Sequence, residues 1–348
     1  MRRLTSGRLG RLIARVVAVV SLVLLVGFVV VPQYGDAQRA LASAGMLSPV
    51  LLVLGLVLEL ASLAAYGALT RVSLDPATRP TYPTVLRIDL TGVAITNAVP
   101  GGGATALAVR YRLLMRARVP AAAVAGGIAV EATVSNLLLG AVFASGILFS
   151  LGSLPSSPYY RLAGGFILLI FGTAAIALML AVRHPGKAVA LARSATRRLS
   201  VAHQDSVAAF VEAVVVAVSA FAADRRRFGA AVFWGLINWL LDAAALWVFL
   251  VAFGFHPTPG HLLLGYGLAN ILALVPITPG GLGVIEGVLV PTLVALGATY
   301  DVAVLGVTAW RLVQFWMPIP LGGLSALSLM AAWHAGRGRS RPPAEAST

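Results

Sequence analysis

Pro276-Ile277-Thr278-Pro279-Gly280-Gly281-Leu282-Gly283 breaks an apolar region, 261–297, that is otherwise long enough to cross a bilayer. A second break, Asn97-Ala98-Val99-Pro100-Gly101-Gly102-Gly103, lies in the apolar region 84–109. Proline removes a backbone donor and glycine frees φ, so a regular helix does not run through either stretch undisturbed. Non-helical chain at membrane depth survives only where it lines a cavity or is buried in protein. How these two breaks thread the membrane therefore decides the fold.

That there is a membrane to thread follows from composition. Of 348 residues, 59% are hydrophobic and only 11% charged, with mean hydropathy +0.91. A soluble core has no use for so much apolar sequence, whereas a bundle facing lipid does. Besides the two broken regions, apolar runs occur near 12–31, 47–70, 121–150, 160–182, 228–253 and 301–333. The first exceeds the usual apolar core of a cleaved leader and is expected to be retained as a span.

The charge is strongly basic, +14, and the placement of the basic residues excludes nucleic acid as a partner. They cluster between apolar runs, as in cytoplasmic loops beside anionic lipid headgroups. With six full spans and the two broken regions as re-entrant hairpins, one face of the membrane holds 1–11, 71–83, 110–119, 183–227 and 334–348. That face, with flanking Arg15 and Arg87, carries 23 of the 26 basic residues. If 84–109 crossed fully, Arg110, Arg112, Arg116 and Arg118 would be exported. The expectation is thus an all-α polytopic bundle in the cell membrane. Its parts are a basic cytoplasmic N-terminus (1–11), one integral membrane domain (12–333) with a cytoplasmic loop (184–227), and a disordered basic cytoplasmic tail (334–348). Within the loop, 201–221 reads as an amphipathic helix on the membrane surface.

The two breaks also match each other. Each precedes a long span with an ionisable group, Glu131 lying 30 residues after Gly101 and Arg311 lying 31 after Gly280. Entered from opposite faces, the halves would be inverted repeats, an architecture of many transporters. Helices starting at Pro100-Gly101-Gly102-Gly103 and at Pro279-Gly280-Gly281-Gly283 would aim their N-termini at an anionic group. A charge at the bilayer centre costs at least about 2.5 kcal/mol, so Glu59, Glu131, Asp242, Glu286 and Arg311 each need a reason. Arg311, with Gln314 one turn on, either binds a lipid phosphate positioned by Glu286 or forms a structural ion pair with it. Glu131, Arg110 and Asn97 complete the candidate substrate-binding set. Asp242 and Glu59 are expected to find tryptophan, asparagine or hydroxyl partners, and Asp89 and Asp301 to be interfacial. There is no cysteine, and the five histidines lack metal-ligand spacing. No cofactor, metal or catalytic motif is expected, and the chain does not read as an enzyme.

Pro279-Gly280-Gly281-Leu282-Gly283-Val284-Ile285-Glu286, with Arg311 about 25 residues on, resembles the transmembrane domain of bacterial lysylphosphatidylglycerol synthase/flippase proteins (the MprF type) and their stand-alone relatives. Asn97 to Gly103 through Arg110-Tyr111-Arg112-Leu113-Leu114 is similar to the same family's first hairpin, although Ala104 and Thr105 stand where an acidic residue is common. The resemblance implies a lipid-handling membrane domain, a flippase in the best-understood members, without the soluble aminoacyl-transfer domain. Membrane lipids, anionic in character, are the implied partners; a homo-oligomer or an envelope-synthesis partner stays open. The alternative is a membrane-embedded enzyme or accessory subunit in polyprenyl-linked glycan synthesis.

Overall fold

A computed structural model describes residues 48–99, 101–150, 215–275 and 278–339, with isolated positions between 152 and 212. The expected first span, most of the span at 160–182, the amphipathic stretch 201–221 up to 214 apart from Glu212, the tail from 340, Pro100 and Pro276 lie outside the described residues.

The described elements are helical: α1 (Pro49–Ser73), α2 (Tyr82–Ala98), α3 (Gly102–Arg116), α4 (Ala121–Ser150), α5 (Arg225–Ala252), α6 (Pro259–Ala273), a 3-10 turn (Pro279–Gly281), α7 (Val284–Ala295), α8 (Tyr300–Arg311) and α9 (Pro318–Arg339). Among the described residues, four helical stretches are long and apolar enough to cross a membrane: α1, α4, α5 and the joined path Tyr300–His334. Starts follow local chemistry. Pro49, Pro83 and Pro259 occupy first-turn positions, where the missing N–H costs nothing. Asp224 caps α5, its carboxylate accepting from the N–H groups of Arg226 and Arg227.

The expected span at 301–333 is one path with a defect. Between α8 and α9, Leu312–Trp316 forms a π-turn in which the Met317 N–H reaches the Leu312 carbonyl. Pro318 has no N–H to give Gln314, which accounts for the irregularity at this place.

Named contacts fix the directions of the helices. α1 and α5 run antiparallel: Gly55 meets the Phe249 ring, Ser62 and Asn238 exchange hydrogen bonds of 3.0 and 3.1 Å, and Arg227 donates to the Val72 and Leu74 carbonyls. α2 and α3 form an antiparallel hairpin, Gly102 seated on the Ile95 carbonyl and Arg110 against Gly92. α6 and α7 form another, with Gly265 against Leu289 and Gly281 against Ala273. Each hairpin then packs on a long helix of the other half of the chain. Gly322 of α9 rests on Leu90 and Ala94 of α2, and Gly267 of α6 rests on Phe143 of α4. A Cβ at Gly322 would stand 2.2 Å from the Leu90 carbonyl oxygen, so only glycine allows this approach.

The ends of α1, α3 and α9 and the starts of α2, α4 and α5 gather at one end of the bundle. Leu74, Val85, Ile88, Leu114, Val124 and Leu329 pack together there. Arg116 stacks on Trp333 at 5.8 Å, and Arg71, Arg112, Arg118 and Arg225 lie at the same end. The α2–α3 hairpin starts from and returns to this basic end. The α6–α7 hairpin starts where α5 finishes and returns to the opposite end, where Leu250, Leu293 and Ala298 share a core. One boundary differs from expectation: residues 110–116 are the last turns of α3 and not part of a loop, because nothing breaks the helix before Ala117.

Candidate functional site

The two hairpin tips meet. Gly101 takes φ +66° and Gly280, Gly281 and Gly283 take +51°, +68° and +80°, the left-handed region that glycine adopts without strain. A Cβ on Gly280 would fall 2.6 Å from the Asn97 side-chain oxygen and 2.6 Å from the Phe315 ring. Asn97 in turn donates to the Phe315 carbonyl at 2.9 Å, inside the π-turn. Phe315 stands near the middle of the Tyr300–Arg339 path, so the tips touch at mid-depth of the bundle.

Behind each tip lies an ion pair. Arg311, 2% exposed, donates from Nε to Glu286 Oε1 (2.6 Å), from Nη1 to Gln314 Oε1 (2.6 Å) and from Nη2 to the Gly280 carbonyl (3.2 Å). Its guanidinium lies 4.5 Å from the centre of the Phe315 ring. Glu286 Oε2 accepts the Gly283 N–H at 2.7 Å, so the carboxylate occupies the N-terminus of α7 and already holds the place an anion would take. A cavity of about 270 Å³ opens beside Glu286, bounded by Gly287, Pro291, Tyr300 and Val304.

In the first half the polarity is reversed. Here the cation, Arg110, is on the hairpin and the carboxylate, Glu131, is on the long helix. Arg110 Nη2 lies 2.7 Å from Glu131 and 2.8 Å from Asp89, Nε donates to Asp89 at 3.0 Å, and Thr70 accepts at 3.2 Å. Tyr66 donates to the other Glu131 oxygen at 2.7 Å. Two expectations are corrected. Asp89 is 1% exposed and lies inside the bundle, because the antiparallel return of α3 places Arg110 against it. Arg110, counted with the basic residues of the cytoplasmic face, is buried between two carboxylates. Asp301 is exposed in the first turn of α8.

Asp242 makes the partners expected of it: Tyr266 and Trp310 donate to its two oxygens at 2.8 Å each. Glu59 lies against Asp242, with one carboxyl oxygen lacking a partner. The N-terminus of α3 differs from that of α7, since Gly103, Ala104 and Thr105 are exposed and carry no acid.

Of the predicted site residues, the fold brings Asn97, Gly280, Glu286, Arg311 and Gln314 together and puts Glu131 with Arg110. Tyr66, Thr70, Asp89 and Tyr266 were not foreseen as members. Tyr66 and Thr70, four apart on α1, had a helix-face signal, but hydroxyls in an apolar helix point to no particular partner.

Paired Pro/Gly tips backed by buried Arg–Glu pairs coincide with the matched region in comparisons with known proteins. Residues 13–322 match the family described as the lysylphosphatidylglycerol synthase TM region. The chain belongs to that family. Among similar curated proteins, a UPF0104 membrane protein of Methanothermobacter thermautotrophicus is 32% identical over 104 residues, which is 30% of this chain and 30% of the relative. Another, from Pyrococcus horikoshii, is 28% identical over 103 residues, 30% of this chain and 31% of the relative. The chain thus spans under a third of the length of these relatives. As a member of the lysylphosphatidylglycerol synthase TM family it is a multi-pass membrane protein.

Proposed function

We propose that this chain is a lipid translocase of the cell membrane, moving an anionic phospholipid or lipid-linked headgroup between leaflets. The observation that carries the reading is the pair of hairpins from opposite ends of the bundle whose broken tips touch at mid-depth. Irregular backbone there is tolerated only if it serves a cavity or a close packing. Two such breaks, each backed by a buried ion pair of opposite polarity, suit two gates that open in turn. The antiparallel α1 and α5, together with the matching α2–α9 and α4–α6 contacts, support an inverted repeat of two halves, and with the two spans expected from the sequence at 12–31 and 160–182 the membrane segments number eight.

In the present conformation Arg311 is closed off by Glu286, Gln314 and the Gly280 carbonyl, which is the structural-pair arrangement. Transport requires that pair to open, with a phosphate replacing the carboxylate on the guanidinium; Arg binds either bidentately. The exposed N-terminus of α3, around Gly103 to Thr105, supplies uncovered N–H groups to the same kind of anion. The basic end faces the cytoplasm in this reading, because lysine and arginine are retained there.

Purified protein in liposomes carrying fluorescent or charged lipids tests it. The wild type moves lipid across the bilayer, while Arg311→Ala and Glu286→Gln each slow that movement by about tenfold or more, the loss expected for one charge-assisted contact. Absence of movement for every lipid class, or wild-type rates in both variants, refutes the proposal.

A further inference from the structure

A second site lies away from the tips, where α1 and α5 meet at the basic end. Ala61, Ala64 and Ala68 fall three and four residues apart, on one face of α1. Their small side chains, facing Ile237 and Leu241 of α5, leave a groove of about 580 Å³, within the range of small-molecule sites. Arg71 closes its end. Only Nε of Arg71 is engaged, donating to the Pro80 carbonyl at 3.2 Å; both terminal amino groups are uncommitted among the described residues.

Two more cations crowd this end. The Arg79 guanidinium is held below its usual pKa, first by partial burial and then by the charges of Arg71 and Arg227. Arg227 stacks over Phe221 at 4.8 Å, and its Nε is buried without a partner. The nearby acids make their hydrogen bonds to backbone rather than to these arginine side chains: Asp75 accepts from the Ala77 N–H at 3.0 Å, and Asp224 caps α5. No ion pair compensates the three arginines among the described residues. Arg71 at the mouth of an apolar groove, with the charges of Arg79 and Arg227 acting at the same end, asks for a ligand with an anionic head and a hydrocarbon body.

We infer that this groove binds an anionic phospholipid, its phosphate on Arg71 within the field of Arg79 and Arg227 and an acyl chain along Ala61, Ala64 and Ala68. The site is distinct from the Arg311 pair and does not depend on the transport reading. The acyl chain fills the apolar length of the groove while the phosphate meets Arg71, a two-part fit that a free phosphate ester lacks.

Native mass spectrometry of the full chain, titrated with phosphatidylglycerol, phosphatidylcholine and soluble glycerol phosphate, tests the inference. Phosphatidylglycerol is expected to bind saturably and about tenfold or more tighter than phosphatidylcholine, the equivalent of one charge-assisted contact. Arg71→Ala with Arg79→Ala removes that preference, and Arg71→Lys, which keeps the charge, retains most of it. Ala68→Leu fills the groove without touching charge and weakens binding of both lipids. Equal binding of the two lipids, unchanged binding in Ala68→Leu, or equally tight glycerol phosphate each overturns it, the last by showing a plain phosphate site and the second by showing that another part of the chain covers the groove. These readings come from binding alone, so they stand apart from the lipid-movement assay on Arg311.

Discussion

Arg110→Met isolates the energetics of the first buried cluster. Arg110 has two carboxylates within 2.8 Å, Asp89 and Glu131, and is the cation between them. Methionine matches much of its apolar stem but leaves both acids without their counterion. Glu131 keeps the Tyr66 hydroxyl, whereas Asp89 loses its Arg110 partner and has a second oxygen already unpartnered. Removing one partner of a buried pair costs about 3–5 kcal/mol, because the other charge remains buried without compensation. Replacing the set together is different: Arg110→Met with Asp89→Asn and Glu131→Gln removes every charge and should return to within about 1–2 kcal/mol of wild type. Unfolding of the purified protein in mixed micelles, followed by tryptophan fluorescence, measures both. A single variant as stable as wild type, or a triple variant no more stable than the single, refutes this account of the cluster.

Other substitutions probe neighbouring contacts. Trp310→Phe keeps the ring in its T-shaped contact with Tyr266 but removes a donor to Asp242, and is expected to cost about 1–3 kcal/mol in the same unfolding assay. Gly322→Ala drives a Cβ into the Leu90 carbonyl and should destabilise by about 1–3 kcal/mol, while Gly323→Ala, which meets nothing within 4 Å, leaves stability unchanged to within about 0.5 kcal/mol. Asp224→Ala uncaps α5 at a loss of about 1 kcal/mol, and Asp224→Asn restores most of it.

The hairpins were legible because Pro-Gly runs inside apolar sequence leave few alternatives, and the basic residues then tie the α2–α3 hairpin to one face. The Arg311–Glu286 pair was legible for a related reason: charges inside apolar helices must find each other, and few were available. The contact of Asp89 with Arg110 was missed because distance from a segment end along the sequence does not give burial in a bundle. The antiparallel return of α3 on α2 is what brings the two together. The π-turn carried only the weak signal of Pro318. The groove between α1 and α5 carried none, since alanine spaced along a helix reads equally well as close packing or as space.

The arrangement of the two hairpins is the claim on which the rest depends, and the chain's lack of cysteine makes it directly measurable. Single cysteines at Ala77 and Ala117, flanking the first hairpin, and at His256 and Thr299, flanking the second, can be labelled in intact cells with a membrane-impermeant maleimide. The account predicts that Cys at 256 and 299 label from outside, while Cys at 77 and 117 label only after the cells are opened. Outside labelling at one of 77 and 117 but not the other, or at one of 256 and 299 but not the other, would mean that the hairpin between them crosses the membrane, contradicting the opposed arrangement.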